Sequence, residues 1–148
     1  MDRRKFIKTS CVSCLSATLF SSAVLTACTP TQYISGTLEK DGLIIEKEQF
    51  KLGNKGSYSS FVIVRNENLL FPICVYRFSD EDYSAIWLKC AHMGAEVNVV
   101  GDMLQCPAHG SEYNNRGVVT NGPATSNLRT FPVVVRGNEL FIDLRRQS

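Results

Sequence analysis

Short β-branched and aromatic runs mark the chain at Leu43-Ile44-Ile45, Phe61-Val62-Ile63-Val64, Ile73 to Phe78 and Tyr83 to Leu88. Turn-forming clusters separate them, among them Gly53-Asn54-Lys55-Gly56 and Ser79-Asp80-Glu81-Asp82. Apolar runs of this length, bounded in this way, predict strands. Gly101-Asp102 joins Val97–Val100 to Met103–Cys106, and Gly137-Asn138 joins Val133–Arg136 to Glu139–Leu144. Each pair is a two-residue hairpin turn. No sustained 3.6-residue period, repeat or low-complexity segment follows the first 28 residues. The pattern predicts an all-β domain over 41–148. Residues 29–40 carry Pro, Gly, Ser and Thr with little apolar periodicity, and are expected to form a short tether.

Residues 1–28 break this pattern and read as a targeting segment. Asp2-Arg3-Arg4-Lys5-Phe6-Ile7-Lys8 resembles a twin-arginine export signal. The stretch from Cys11 to Ala27 is apolar but Ser-rich, 17 residues with six Ser or Thr. That is short of the roughly 20 apolar residues a membrane span needs. Leu25-Thr26-Ala27-Cys28 resembles a bacterial lipobox, in which Cys28 is lipidated and becomes the new N-terminus. An uncleaved membrane anchor is the alternative, less favoured because Leu25 and Ala27 both fit around the cysteine. Either way the expected location is outside the cytoplasmic membrane, on the periplasmic side and tethered.

The whole chain carries +2, from sixteen basic and fourteen acidic residues. Removing the leader's four basic residues and Asp2 leaves twelve and thirteen, a net of −1. A near-neutral domain offers no electrostatic case for nucleic acid.

Candidate chemistry lies in two short segments. Cys90-Ala91-His92 and Cys106-Pro107-Ala108-His109 each supply one thiolate and one imidazole, and glycine follows each (Gly94, Gly110). Two Cys and two His can bind zinc, but structural zinc sites usually pair their cysteines in one arm and their histidines in another. Here both arms are mixed. That division suits a two-iron cluster with both thiolates on one iron and both imidazoles on the other.

C-A-H-M-G and C-P-A-H-G-S resemble the two cluster loops of Rieske iron–sulfur proteins. The resemblance runs from about Ile73 to the C-terminus and is strongest between Cys90 and Tyr113. It implies an antiparallel β-sandwich-like base with a small cluster-binding subdomain, carrying one [2Fe–2S] cluster per chain. Cys90 and Cys106 would hold the inner iron; His92 and His109 would hold the outer iron, near the surface. The hairpin at Gly101-Asp102 would carry the chain from one ligand loop to the other. Neutral imidazoles in place of two thiolates favour reduction, so Rieske centres span about −150 to +300 mV, against about −400 mV for plant-type ferredoxins. Ser111 and Tyr113 match the two hydroxyl donors of high-potential Rieske proteins. Each donor is expected to raise the potential by roughly 60–130 mV, the alternative being that both only satisfy loop backbone.

One departure from the family is clear. The loop-bridging disulfide of respiratory and photosynthetic members would fall at Ala95 and Ala108, so no brace of that kind can form. Gly122-Pro123-Ala124 resembles the start of the proline-rich loop that shields the cluster, or is an ordinary turn. Met93 is either a flexible cover or core filling. With Cys11 and Cys14 in the leader and Cys28 lipidated, Cys74 is left over, in an apolar run. It is expected to be a buried, inert thiol, with no intramolecular disulfide.

The resemblance implies an exported, membrane-tethered redox subunit carrying one electron. Its partner would be a cytochrome b- or c-like membrane or extracytoplasmic protein, as in a quinol-oxidising complex, with quinol a candidate reductant. Each imidazole has a second nitrogen, so a proton can accompany the electron. A stand-alone ferredoxin-like carrier to another extracytoplasmic oxidoreductase is the alternative. A Rieske oxygenase catalytic subunit is not expected. It needs a further iron on two histidines and a carboxylate, and the chain's only two histidines are already committed.

Overall fold

The computed structural model describes residues 31–53 and 56–145. The leader, Cys28 and its lipobox lie outside the described residues. The protein is built almost wholly of strands, with one short 3-10 helix at Lys47–Phe50.

A three-stranded antiparallel meander, Phe61–Arg65, Ile73–Arg77 and Tyr83–Trp87, forms the centre of the molecule. Tyr33–Ser35 and Thr130–Phe131 extend it on either side to five strands. Side chains alternate between faces of a sheet, and here both faces are covered. Phe61, Ile63, Cys74, Tyr76 and Ile86 enter one core, while Val62, Val64, Ile73, Val75 and Ala85 enter another. This explains why the sequence shows unbroken apolar runs instead of polar–apolar alternation. Each fully buried Val, Leu, Ile or Phe contributes roughly 1.5–3 kcal/mol of transfer free energy. Burial on both faces therefore stabilises the meander far more than strand propensity does.

The second core lies against a four-stranded sheet of Val133–Arg136, Glu139–Asp143, Gly42–Glu46 and Thr37–Leu38, through Leu43, Ile45, Leu140 and Ile142. The two sheets make the sandwich-like base. Gly42 sits where chain crossing is tightest. A Cβ there would lie 2.5 Å from the Ile142 carbonyl oxygen and from the Phe141 ring.

The first core leads to a small meander of Asn98–Val100, Met103–Gln105, Glu112–Asn114 and Val119–Asn121. Leu104 and Tyr113 from this subdomain pack with Tyr76 and Ile86 of the base. Two polar ties fasten it. The Tyr76 hydroxyl donates to the Gly101 carbonyl at 2.8 Å, at the tip of the hairpin. Arg116 donates to both Asp82 carboxylate oxygens at 3.0 and 2.6 Å, with its guanidinium 3.7 Å over the Phe78 ring.

Both predicted hairpins form, with Val100 opposite Met103 and Arg136 opposite Glu139. Gly101 and Gly137 have φ of +59° and +61°, and no non-glycine residue described has positive φ. Positive φ at the first central position alone is the II′ pattern, for which glycine is suited.

The expected tether over 29–40 is corrected in its middle. Tyr33–Ser35 pairs in parallel with Phe61–Arg65, and Thr37–Leu38 pairs antiparallel with Gly42–Glu46. The segment alternates between exposed and half-buried positions from 31 to 38. Its half-buried positions include Gln32 and Gly36, so the alternation carries little apolar signal. Backbone pairing at sheet edges holds it, with Ile34 and Leu38 its main apolar contacts with the core.

Candidate metal centre

Residues 90–95 and 106–111 fold as two copies of one loop. Cys90 N–H donates to the Ala95 carbonyl at 2.8 Å, and Cys106 N–H donates to the Ser111 carbonyl at 2.8 Å. Gly94 N–H returns to the Cys90 carbonyl at 2.9 Å, and Gly110 N–H to the Cys106 carbonyl at 3.0 Å. Gly94 and Gly110 have φ of +73° and +79°, a region that L side chains rarely adopt. The glycine thus stands four residues after the cysteine in both loops, although the histidine stands two after in one and three after in the other. Loop geometry, not histidine spacing, is what repeats.

Each loop starts inside the protein and turns at its surface. Cys90 and Cys106 are 3% and 2% exposed, while His92 and His109 are exposed. The two imidazoles meet edge to face with ring centroids 5.0 Å apart. The structure therefore brings the two imidazoles together at the surface and buries the two thiols at the starts of the same two loops.

Tyr113 is fully buried and reaches the first loop from the strand after the second. Its hydroxyl oxygen lies 3.3 Å from the Cys90 sulfur and 3.3 Å from the Ala91 N–H. The oxygen accepts from Ala91, and a Cys90 thiolate, which has no hydrogen of its own, can only accept from the hydroxyl. Burial, followed by the neighbouring Cys90, pushes the Tyr113 hydroxyl up to about 12, so it remains a donor at neutral pH. Burial raises the Cys90 thiol, but the Tyr113 hydroxyl, the His92 N–H, the Cys106 thiol and the Met93 N–H together outweigh it. The thiol is held below its ordinary value, which favours the thiolate needed by a metal.

Ser111, also fully buried, is placed differently. Its Oγ accepts the Ala124 N–H at 3.0 Å. The oxygen anchors the segment Gly122-Pro123-Ala124, whose Gly122–Pro123 peptide is cis. This tie fastens that segment to the second loop. Met93 is 69% exposed, which removes core filling as its role. Cys74 is fully buried, and burial raises its thiol strongly. Ala95 is half-buried against the first core and Ala108 is exposed.

The donor set fits a two-iron group. The division into two buried sulfurs and two surface imidazoles matches a binuclear cluster. Sequence reasoning did not find the backbone partners Ala91 and Ala124, because an N–H carries no residue-specific signal.

Comparison with known proteins agrees. The model of the Rieske [2Fe-2S] domain matches residues 43–132. This chain belongs to the Rieske [2Fe–2S] domain family, and a [2Fe–2S] cluster is its cofactor. It is 38% identical over 85 residues to the cytochrome b6-f complex iron-sulfur subunit 2 of Nostoc sp., covering 56% of this chain and 42% of that protein. It is 33% identical over 75 residues to Ferredoxin CarAc of Metapseudomonas resinovorans, covering 48% of this chain and 69% of that protein. A chain from the complex of reduced oxygenase and oxidized ferredoxin in carbazole 1,9a-dioxygenase shares the fold, at a TM-score of 0.50 and 23% identity. That match covers 71% of this chain and 96% of the other. The match spans less than half the length of the Nostoc subunit. Electron transfer through a Rieske cluster is the function these findings support.

Proposed function

We propose that the chain is an exported, membrane-tethered one-electron carrier, with Cys90 and Cys106 holding the inner iron and His92 and His109 the outer iron. The division of these side chains between a buried thiol pair and an exposed imidazole pair carries the reading. The bound cluster supplies a one-electron couple. The protein shields the sulfur side from water, while His92 and His109 present the other side to a partner. Tyr113 donates toward the Cys90 sulfur, stabilising added negative charge. Ser111 holds the 122–124 segment in place, and its hydroxyl is assigned to the same purpose.

The partner we assign is a cytochrome b-type component of a quinol-oxidising complex, on the strength of the b6-f relatives. Residues 1–28 serve as the export signal, and Cys28 carries the lipid that holds the domain on the periplasmic side. A second reading, a stand-alone carrier to another oxidoreductase, draws on the alanines at 95 and 108 and on the ferredoxin relative.

A redox titration of the reconstituted full chain, followed by electron paramagnetic resonance, tests the cluster and its ligands. Reduced protein is expected to give a rhombic signal that Cys106→Ser and His109→Ala abolish. A colourless protein holding zinc and no iron would overturn the assignment. Replacing Cys28 by Ser is expected to move the domain from the membrane to the soluble fraction. Retention of that variant in the membrane would remove the lipid anchor.

A further inference from the structure

The exposed imidazole edge is flanked on one side by a groove of about 830 Å³, which His92 and Met93 share with Leu70, Trp87, Lys89 and Arg129. Its walls come from three separate parts of the chain. Lys89 Nζ lies 5.1 Å from the Trp87 ring centroid, and the Arg129 guanidinium lies 5.8 Å from the same ring. No Asp or Glu lines the groove. Neither cation has a carboxylate within 4.0 Å among the described residues, whereas Arg65, Arg77, Arg116 and Arg145 each do. Glu96, just beyond the first loop, is taken up by Arg65 at 3.0 Å. Leu70 and Met93, 82% and 69% exposed, place apolar side chains on the rim.

We infer that this groove is the docking face for an acidic electron-transfer protein, whose carboxylates meet Lys89 and Arg129 beside His92. The inference rests on the proposed electron-carrier function. Charge complementarity selects the partner: two cations that no carboxylate neutralises, Arg129 bonding only the Leu144 carbonyl at 3.2 Å, stand next to the exposed imidazole edge, attract negative charge and repel basic proteins. The aromatic floor keeps both cations near the surface, and the apolar rim supplies contact once charges have steered the encounter. One electron then passes from the reduced protein to the partner's oxidised centre, with no atom transferred.

The test uses the cluster-loaded full chain in neutral detergent and one acceptor in two charge forms. These are a basic mitochondrial-type cytochrome c and the same protein with its lysines succinylated. Each transfer oxidises one reduced chain and converts one ferric haem to ferrous. At low salt, Lys89→Gln/Arg129→Gln is expected to lower the ratio of succinylated to native rates about fivefold, at roughly two- to threefold per exposed ion pair. Lys51→Gln, on a strand outside the groove, removes half as much charge as the double variant and is expected to leave the ratio at the wild-type value. The wild-type ratio is expected to collapse near 1 M salt, where the Debye length is about 3 Å. A double variant with an intact cluster spectrum and an unchanged ratio would overturn the docking face alone. A lowering of about twofold by Lys51→Gln, the same effect per charge removed, would do the same by making the effect one of net charge. Loss of binding to phosphatidylglycerol vesicles with an unchanged ratio would assign the groove to a lipid surface instead. Absence of a cluster spectrum in wild type would remove the electron-carrier reading itself.

Discussion

Replacing Tyr113 by Phe removes one oxygen and leaves a fully buried ring in place. The lost hydroxyl lies 3.3 Å from the Cys90 sulfur, which as an iron-bound thiolate has no hydrogen and can only accept from it. Reduction adds negative charge near that sulfur, so the bond is stronger in the reduced protein and its removal lowers the midpoint. A charge-assisted hydrogen bond contributes about 1.5–3 kcal/mol. With about 1.36 kcal/mol per tenfold change and 59 mV per tenfold for one electron, that range is roughly 60–130 mV. A 3.3 Å contact to a large, diffuse sulfur sets the expectation at the lower end, a fall of about 60 mV. The Ala91 N–H also loses its part-buried acceptor, so a stability cost of about 1–3 kcal/mol accompanies the change. Redox titration by electron paramagnetic resonance, paired with thermal denaturation, separates the two effects. An unchanged or raised midpoint, with signal and fold intact, would refute the proposed role of Tyr113.

Ser111→Ala leaves the buried Ala124 N–H without its acceptor, and is expected to cost about 1–3 kcal/mol in denaturant unfolding, with a lower midpoint as well. Gly42→Ala forces a methyl to within 2.5 Å of the Ile142 carbonyl. Overpacking of this kind costs about 1–3 kcal/mol, to be read as a lower denaturation midpoint with the cluster spectrum unchanged. Arg116 holds the Asp82 carboxyl below its ordinary value of 3.8. A carboxyl so lowered stabilises the fold fully above that ordinary value, and the contribution is lost as pH falls through the folded value. Asp82→Asn is therefore expected to melt below wild type at pH 7 and to converge with it in acid, followed by circular dichroism.

The strand runs, both hairpin turns and the Cys–His pairs are properties of neighbouring residues, and were legible without coordinates. Val62 and Ile63 differ by one position and so face opposite cores, yet which core each enters depends on two other sheets. The repeated loop shows the same limit. Both glycines stand four residues after a cysteine in the sequence, but only the matching hydrogen bonds reveal that the two loops share one geometry despite the unequal spacing of His92 and His109. Tyr33–Ser35 was missed because pairing with a distant strand, not apolar side chains, holds it. Tertiary structure alone placed Tyr113 against a sulfur 23 positions away, tied Ser111 to Ala124, and assembled Lys89 and Arg129 beside His92. The division is physical. Side-chain periodicity and turn chemistry act over a few residues and can be read along the chain. Register between strands, set by the burial of two cores together, decides which distant groups meet.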